Sequence, residues 1–324
     1  MIFDTHAHYD DAAFDEDRDA VLSSLIGKNV GMVIDVAAGV SSLDAVMELT
    51  KKYPFVYGSA GLHPDEVGPH SREALSGRIF RYEDEHGKMA EEKTAGLTDA
   101  VLGKIRSMLK EPKIVAVGEI GLDYHWNTEP RDVQIECFKK QIDIAISAGK
   151  PIIVHSRQAA EDTMRVITGM YGSGREGAKI SRAEAERSLL PEEYTDQPGK
   201  EWVWRNAVPP GPGRDMERKG IIHAYAYSAE MARIYTGMGF MLGIGGVATY
   251  RNSKKLRKVI EEIPLEYLVL ETDCPYLTPE PHRGERNDSS MLEFVTGAIA
   301  EIKGVSVEEV ERITWENAAR VFSV

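Results

Sequence analysis

The chain opens on Phe3-Asp4-Thr5-His6-Ala7-His8, a short run closed by two histidines one residue apart. In an extended strand alternate side chains share a face, so the imidazoles of His6 and His8 converge. A His-x-His pair by itself is more often a packed polar pair than a ligand pair. Four further residues shift that balance, because each ends its own apolar run. Glu119 follows Ile114-Val115-Ala116-Val117-Gly118, His155 follows Pro151-Ile152-Ile153-Val154, His223 follows Gly220-Ile221-Ile222, and Asp273 follows Leu268-Val269-Leu270-Glu271-Thr272. Burying six ionisable groups at strand ends without partners is costly. Four neutral imidazoles and two carboxylates exceed what one tetrahedral ion takes, whereas two ions roughly 3.5 to 4 Å apart, bridged by one carboxylate, use all six.

These residues are far apart in sequence, so the fold must gather them. Apolar, β-branched runs recur at residues 2–5, 30–37, 55–61, 113–119, 151–155, 220–224, 239–246 and 267–272, a spacing that predicts strands. Stretches with helical periodicity lie between them, such as residues 133–148 with Ile135, Phe138, Ile142 and Ala145 on one face. Eight strand-helix units with right-handed crossovers predict an α/β protein, a closed (β/α)8 TIM barrel. In that fold catalytic groups collect at the C-terminal ends of the strands, where the six candidates stand.

The length of 324 residues allows two domains, yet a barrel of this size is commonly one. The reading is a single domain over residues 1–324 with insertions near 76–96 and 172–219. The first insertion follows the third strand and so belongs on the active-site face, as a rim or lid. The second is balanced in charge and rich in Pro and Gly; it precedes the sixth strand, which places it on the opposite face, with Trp202 and Trp204 expected to pack.

Acidic residues outnumber basic ones, 52 to 39, for a formal net charge of −13. The summed field therefore repels polyanions and excludes a basic coat that wraps duplex DNA or an anionic membrane, without excluding a local phosphate site. No apolar run is long enough for a membrane span or a secretory signal, so the expected location is the cytoplasm. Cys137 and Cys274 are the only cysteines, too few for a disulfide framework or a thiolate metal site. Oxygen and nitrogen must hold any metal.

The chain resembles the TatD family of metal-dependent hydrolases, a branch of the amidohydrolase-like barrels. Asp4-Thr5-His6-Ala7-His8-Tyr9-Asp10 is similar to its opening motif, Gly61-Leu62-His63-Pro64 to its third-strand motif, and Gly118-Glu119-Ile120-Gly121-Leu122-Asp123-Tyr124 to its fourth. The segments Pro151 to Arg157, Glu271-Thr272-Asp273-Cys274-Pro275-Tyr276 and Asn317-Ala318-Ala319-Arg320-Val321-Phe322 extend the likeness to everything except the two insertions. Two segments depart from the pattern. His223-Ala224-Tyr225-Ala226-Tyr227-Ser228 stands where the family has a His-Cys-Phe-Ser-Gly type loop, and Asp288-Ser289 follows Asn287 where the family often has an acidic residue and Pro. Neither touches a candidate ligand; both put substrate preference in doubt.

The resemblance implies two divalent ions, one on His6, His8 and Asp273, the other on His155 and His223, with Glu119 bridging. Water on such ions ionises near pH 7 instead of 15.7, and Asp273 can also act as general base for a hydroxide that attacks the substrate. His63 and Arg157 are candidate substrate-binding donors at the rim. Glu271, on the same strand face as Asp273, is read either as the partner of a ligating His or as a structural ion pair. Tyr124, His125 and Trp126 could stack a base. Imidazole ligands favour Zn, Ni, Co or Fe, while Mg or Mn serve at carboxylate-rich phosphoryl-transfer sites; Zn is the expected bound ion and Mg or Mn an activator. The implied activity is a deoxyribonuclease, a 3′-5′ exonuclease on single-stranded DNA or RNA ends. The alternatives are hydrolysis of another ester or amide, such as a D-aminoacyl-tRNA, and, from another class, a non-catalytic metal-binding barrel. The partners expected are single-stranded ends or another ester substrate, with no membrane.

Overall fold

The computed structural model describes residues 1–68, 79–83, 89–93, 98–126, 129–171 and 219–324. Eight parallel strands form one sheet: β1 (Ile2–Ala7), β2 (Val30–Val36), β3 (Val56–Ser59), β6 (Ile114–Asp123), β7 (Ile152–Arg157), β8 (Gly220–Ile222), β9 (Phe240–Ile244) and β10 (Leu268–Leu270), each beside the next in that order. The sheet curls into a nearly closed barrel. At the seam Ala7 bridges Cys274, the Asp273 amide donates to the His6 carbonyl at 2.9 Å, and the His8 amide donates to the Cys274 carbonyl at 2.9 Å. This is the expected (β/α)8 architecture.

The strands are largely buried because both faces are covered, one by the barrel interior and one by helices. All ten residues of β6 are buried. The helices are α1 (Arg18–Ser24), α2 (Val40–Lys52), α3 (Asp99–Met108), α4 (Arg131–Ala148), α5 (Ala160–Tyr171), α6 (Ala229–Gly237), α7 (Lys254–Glu262), α8 (Leu292–Lys303) and α9 (Val307–Phe322). The longest, α4, buries Phe138, Ile142 and Ala145 and stops at Gly149, whose φ of 62° is the left-handed conformation that closes a helix. Side-chain caps begin others: Thr98 accepts from the Val101 amide ahead of α3, and Ser306 from the Glu309 amide ahead of α9.

A buried polar network locks the seam and with it the placement of two candidate ligands. The Asp4 carboxylate accepts from the Thr272 amide at 3.0 Å, the Thr272 hydroxyl at 2.7 Å and the Ser289 hydroxyl at 2.6 Å. It also accepts from the His6 amide at 3.2 Å. The first and last strands are thereby tied together between His6 and Asp273.

β6 overruns its sequence pattern the furthest: it continues past Glu119 to Asp123. The cause is Gly121, with φ 152°, where an added Cβ would stand 1.9 Å from the His155 carbonyl oxygen. Only glycine lets β6 and β7 approach so closely there.

Within residues 76–96, β4 (Ile79–Glu83) and β5 (Met89–Lys93) pair antiparallel with each other only. The remainder of that insertion, and residues 172–218 with Trp202 and Trp204, lie outside the described residues. Among the described residues no helix is long and apolar enough to cross a membrane.

Candidate metal centre

The His6 and His8 rings reach the same point from the end of β1, their Nε2 atoms 3.1 Å apart. The Nδ1 of His8 lies 2.8 Å from the Val36 carbonyl oxygen. A carbonyl only accepts, so Nδ1 carries a proton, and Nε2 is the nitrogen left to face the other imidazole and the carboxylates. From the turn after β10 Asp273 adds a carboxylate whose Oδ1 is 3.4 Å from His8 Nε2 and 3.7 Å from His6 Nε2.

Glu119 stands at the centre, buried. Its Oε2 is 3.4 Å from His6 Nε2, and its Oε1 is 2.7 Å from His155 Nδ1 and 3.8 Å from His223 Nε2. The two oxygens of one carboxylate thus face two different groups of imidazoles. His223 stacks on His6 with ring centroids 3.5 Å apart. All six residues singled out in the sequence come together, drawn from β1, β6, β7, β8 and β10 and the turns that follow them.

Three sets of donors lie close enough to hold an ion, the atoms of each within 4.8 Å of one another: His6, His8 and Asp273; His6, Glu119 and His223; His63, Asp123 and His155. The chemistry of these donors fits a divalent metal. Nitrogen lone pairs and carboxylate oxygens converge on one buried volume, an arrangement that repels itself unless a cation or protons intervene.

Protons play that part in the metal-free protein. Burial works against charge on the imidazoles, but Asp273 and Glu119 outweigh it and push His8 up to about 10. Asp123 and Glu119 do the same for His155, also to about 10, and Glu271, Glu119 and Asp273 raise His223 to about 9. Burial would raise Glu119, yet His6 and His223 hold it well below the usual carboxylate range. Asp273 is likewise lowered, against burial, by His223 and His8.

His63 sits beside this cluster in a different state. Burial, then the neighbouring His155, presses it down to about 3, so the ring is neutral. Its Nδ1 accepts from the Asp65 amide at 3.2 Å, which leaves the proton on Nε2, 4.0 Å from Glu119 Oε1. His63 therefore presents an N–H to the mouth. Arg157 ends β7 and is exposed, at the rim and outside the cluster.

Two carboxylates support the ring positions. Glu271 accepts from the Ala224 amide at 2.6 Å through Oε1, and its Oε2 lies 3.3 Å from His223 Nδ1. Space for it exists because Gly243 has no side chain; a Cβ there would stand 1.9 Å from Glu271 Oε2. Asp123, buried, places Oδ2 at 3.1 Å from His155 Nε2. Sequence reasoning gave Asp123 no role, although residues 119, 121 and 123 share a face once the strand is extended. Of the aromatic residues after β6, Tyr124 is spent on packing: its hydroxyl donates to Asp162 at 2.7 Å and Arg131 lies 4.2 Å over its ring.

A family model described as TatD related DNase matches residues 3–323. The metal-dependent hydrolase YabD of Bacillus subtilis is 33% identical over 324 residues, covering 100% of both chains. The metal-dependent hydrolase YcfH of Escherichia coli is 28% identical, over 100% of this chain and 96% of its own. Among solved structures, YjjV, a TatD homologue from Escherichia coli, superimposes with a TM-score of 0.73 at 23% identity, over 100% of this chain and 98% of that one.

Proposed function

The chain belongs to the TatD family of metal-dependent hydrolases, and from that premise we propose that it is a deoxyribonuclease that trims single-stranded ends from the 3′ side in the cytoplasm. The observation that carries this reading is the pairing, in one mouth, of a convergent nitrogen and carboxylate cluster with a neutral imidazole N–H on His63. The first would hold cations and the second suits an anionic phosphoryl oxygen.

His6, His8 and Asp273 would hold one ion and His155 and His223 a second, with Glu119, whose Oε2 faces His6 and Oε1 faces His155, available to both. When bound, such ions polarise the phosphoryl group and lower the pKa of water. The chain's own residues do the rest. Asp273 is one-fifth exposed to the mouth and ionised, so it can take the proton of the attacking water. His63 donates from Nε2 to a phosphoryl oxygen on which negative charge builds. Asp123 and Glu271 hold His155 and His223 in the ring orientation that aims their remaining nitrogens inward. The donor set of imidazoles favours Zn as the bound ion, with Mg or Mn as activators.

The test is elemental analysis of protein purified without chelator, followed by incubation of the metal-replete enzyme with 5′-labelled single-stranded DNA and RNA and with D-tyrosyl-tRNA. A ladder shortening from the 3′ end, abolished by chelator, is the expected result. Intact strands together with deacylation of D-tyrosyl-tRNA would replace the nuclease with an ester hydrolase.

A further inference from the structure

Trp126 is the most exposed large apolar side chain among the described residues, at 62%. It stands at the mouth of the barrel, three residues beyond the strand that carries Glu119. Exposing an indole to water is unfavourable, and here the backbone that presents it is fixed. The amides of His125 and Trp126 donate to Asp123 Oδ1 at 2.7 and 3.1 Å, while Oδ2 of the same carboxylate meets His155. One buried side chain thus ties the tryptophan to the metal centre.

The neighbouring strand supplies a cation to the same spot. Asp123 pairs in register with Arg157, the Tyr124 amide donates to the Arg157 carbonyl at 2.9 Å, and the Arg157 guanidinium lies 5.3 Å from the centre of the Trp126 ring. His125 and Gln158 join side chains at 3.1 Å on the outer side. A rigid aromatic face with an arginine against it, two residues from His155, has the chemistry that single-stranded nucleic acids use: a π surface for a base and a positive charge for its phosphate.

We propose that Trp126 and Arg157 form a subsite that stacks one nucleobase and contacts the adjoining phosphate of a single strand whose scissile bond lies at the metal centre. This rests on the reading of the enzyme as a nuclease. It also explains how a chain of net charge −13 holds a polyanion. With a repulsive overall field, affinity must come from short-range stacking and a few local cations, which suits a strand end and not a long duplex.

The experiment measures fluorescence anisotropy of a short labelled oligonucleotide with the full-length protein in chelator, so that no hydrolysis occurs. Trp126→Ala should weaken binding on the order of tenfold, and Trp126→Phe, which keeps an aromatic face, should retain most of it. Replacing each base in turn by a base-free tetrahydrofuran residue should reveal one position where wild type loses affinity and Trp126→Ala loses no more. Arg157→Gln should lower the slope of log affinity against log salt by about one. Unchanged binding by Trp126→Ala, or losses that multiply at every base position, would overturn the subsite. If the enzyme still trims strands in that case, the subsite alone has failed; if it neither binds nor trims them, the nuclease reading has failed with it.

Discussion

Asp123 Oδ2 lies 3.1 Å from His155 Nε2, so the ring is held between two carboxylates, with Glu119 at 2.7 Å from Nδ1. The metal centre needs one of these nitrogens deprotonated. Glu119 is buried in the middle of the cluster, among all four imidazoles, whereas Asp123 meets only its edge, beside His155 and His63. Asp123 therefore keeps the proton on Nε2 and leaves Nδ1 for the ion. Asp123→Asn should lower metal affinity about 10- to 100-fold, as losses of such orienting partners do. Competition titration against a chromogenic chelator reads this directly, and unchanged affinity would free His155 of its dependence on Asp123.

The six clustered residues were legible because each ends an apolar run and because strand alternation sends His6 and His8 the same way. Asp123 was not, since Gly121-Leu122-Asp123 reads locally as loop. The strand continues only because β7 approaches within a distance that a glycine alone permits, and such an approach is a property of two segments that no single run displays. Glu271 was legible as a partner for a ligating His, but which His required the fold: the bond to the Ala224 amide and the room left by Gly243 assign it to His223. The split of Tyr124 from Trp126, one packed and one presented, likewise depends on Asp162 and Arg131, residues remote in the pattern.

Asp273→Asn should reduce turnover by roughly 10² to 10⁴, the usual worth of a general base. Asp273 also lies 3.4 Å from His8, so the variant should bind metal more weakly. Measuring kcat at saturating metal separates the two effects. Turnover equal to wild type at saturation would assign the base elsewhere.

Metal uptake should release protons at neutral pH, because His8, His155 and His223 are raised to about 9 to 10 in the metal-free protein and must shed those protons to ligate. Raised values also make the metal-free fold pH-sensitive. The favourable pairing of these imidazolium groups is fully present below the unfolded value of about 6.5 and is lost as pH climbs through about 9 to 10. In chelator, the urea midpoint should fall over that interval; with metal bound it should fall less. Calorimetry in buffers of different ionisation enthalpy counts the released protons, and a pH-independent midpoint in chelator would contradict the pairing.

Replacing residues 174–218 by a short linker should leave metal content and the catalytic constant nearly intact. The flanking residues show why. Lys219 Nζ lies 5.0 Å from the centre of the Tyr171 ring, so the segment leaves and re-enters the barrel at neighbouring points that a short linker can span. Those points are at the end of the barrel opposite the ligands: the Lys219 carbonyl accepts from the Ile152 amide and the Lys219 amide donates to the Gly239 carbonyl, at the starts of β7 and β9, whereas His155 stands toward the end of β7. Loop-closure entropy grows only slowly with length, so shortening the connection alters stability little by that route. Any change should therefore appear in solubility or in association, measured by light scattering. A deletion protein that folds and binds metal but has lost turnover would mean that these residues reach round to the mouth, and the assignment of the segment to the opposite face would fall.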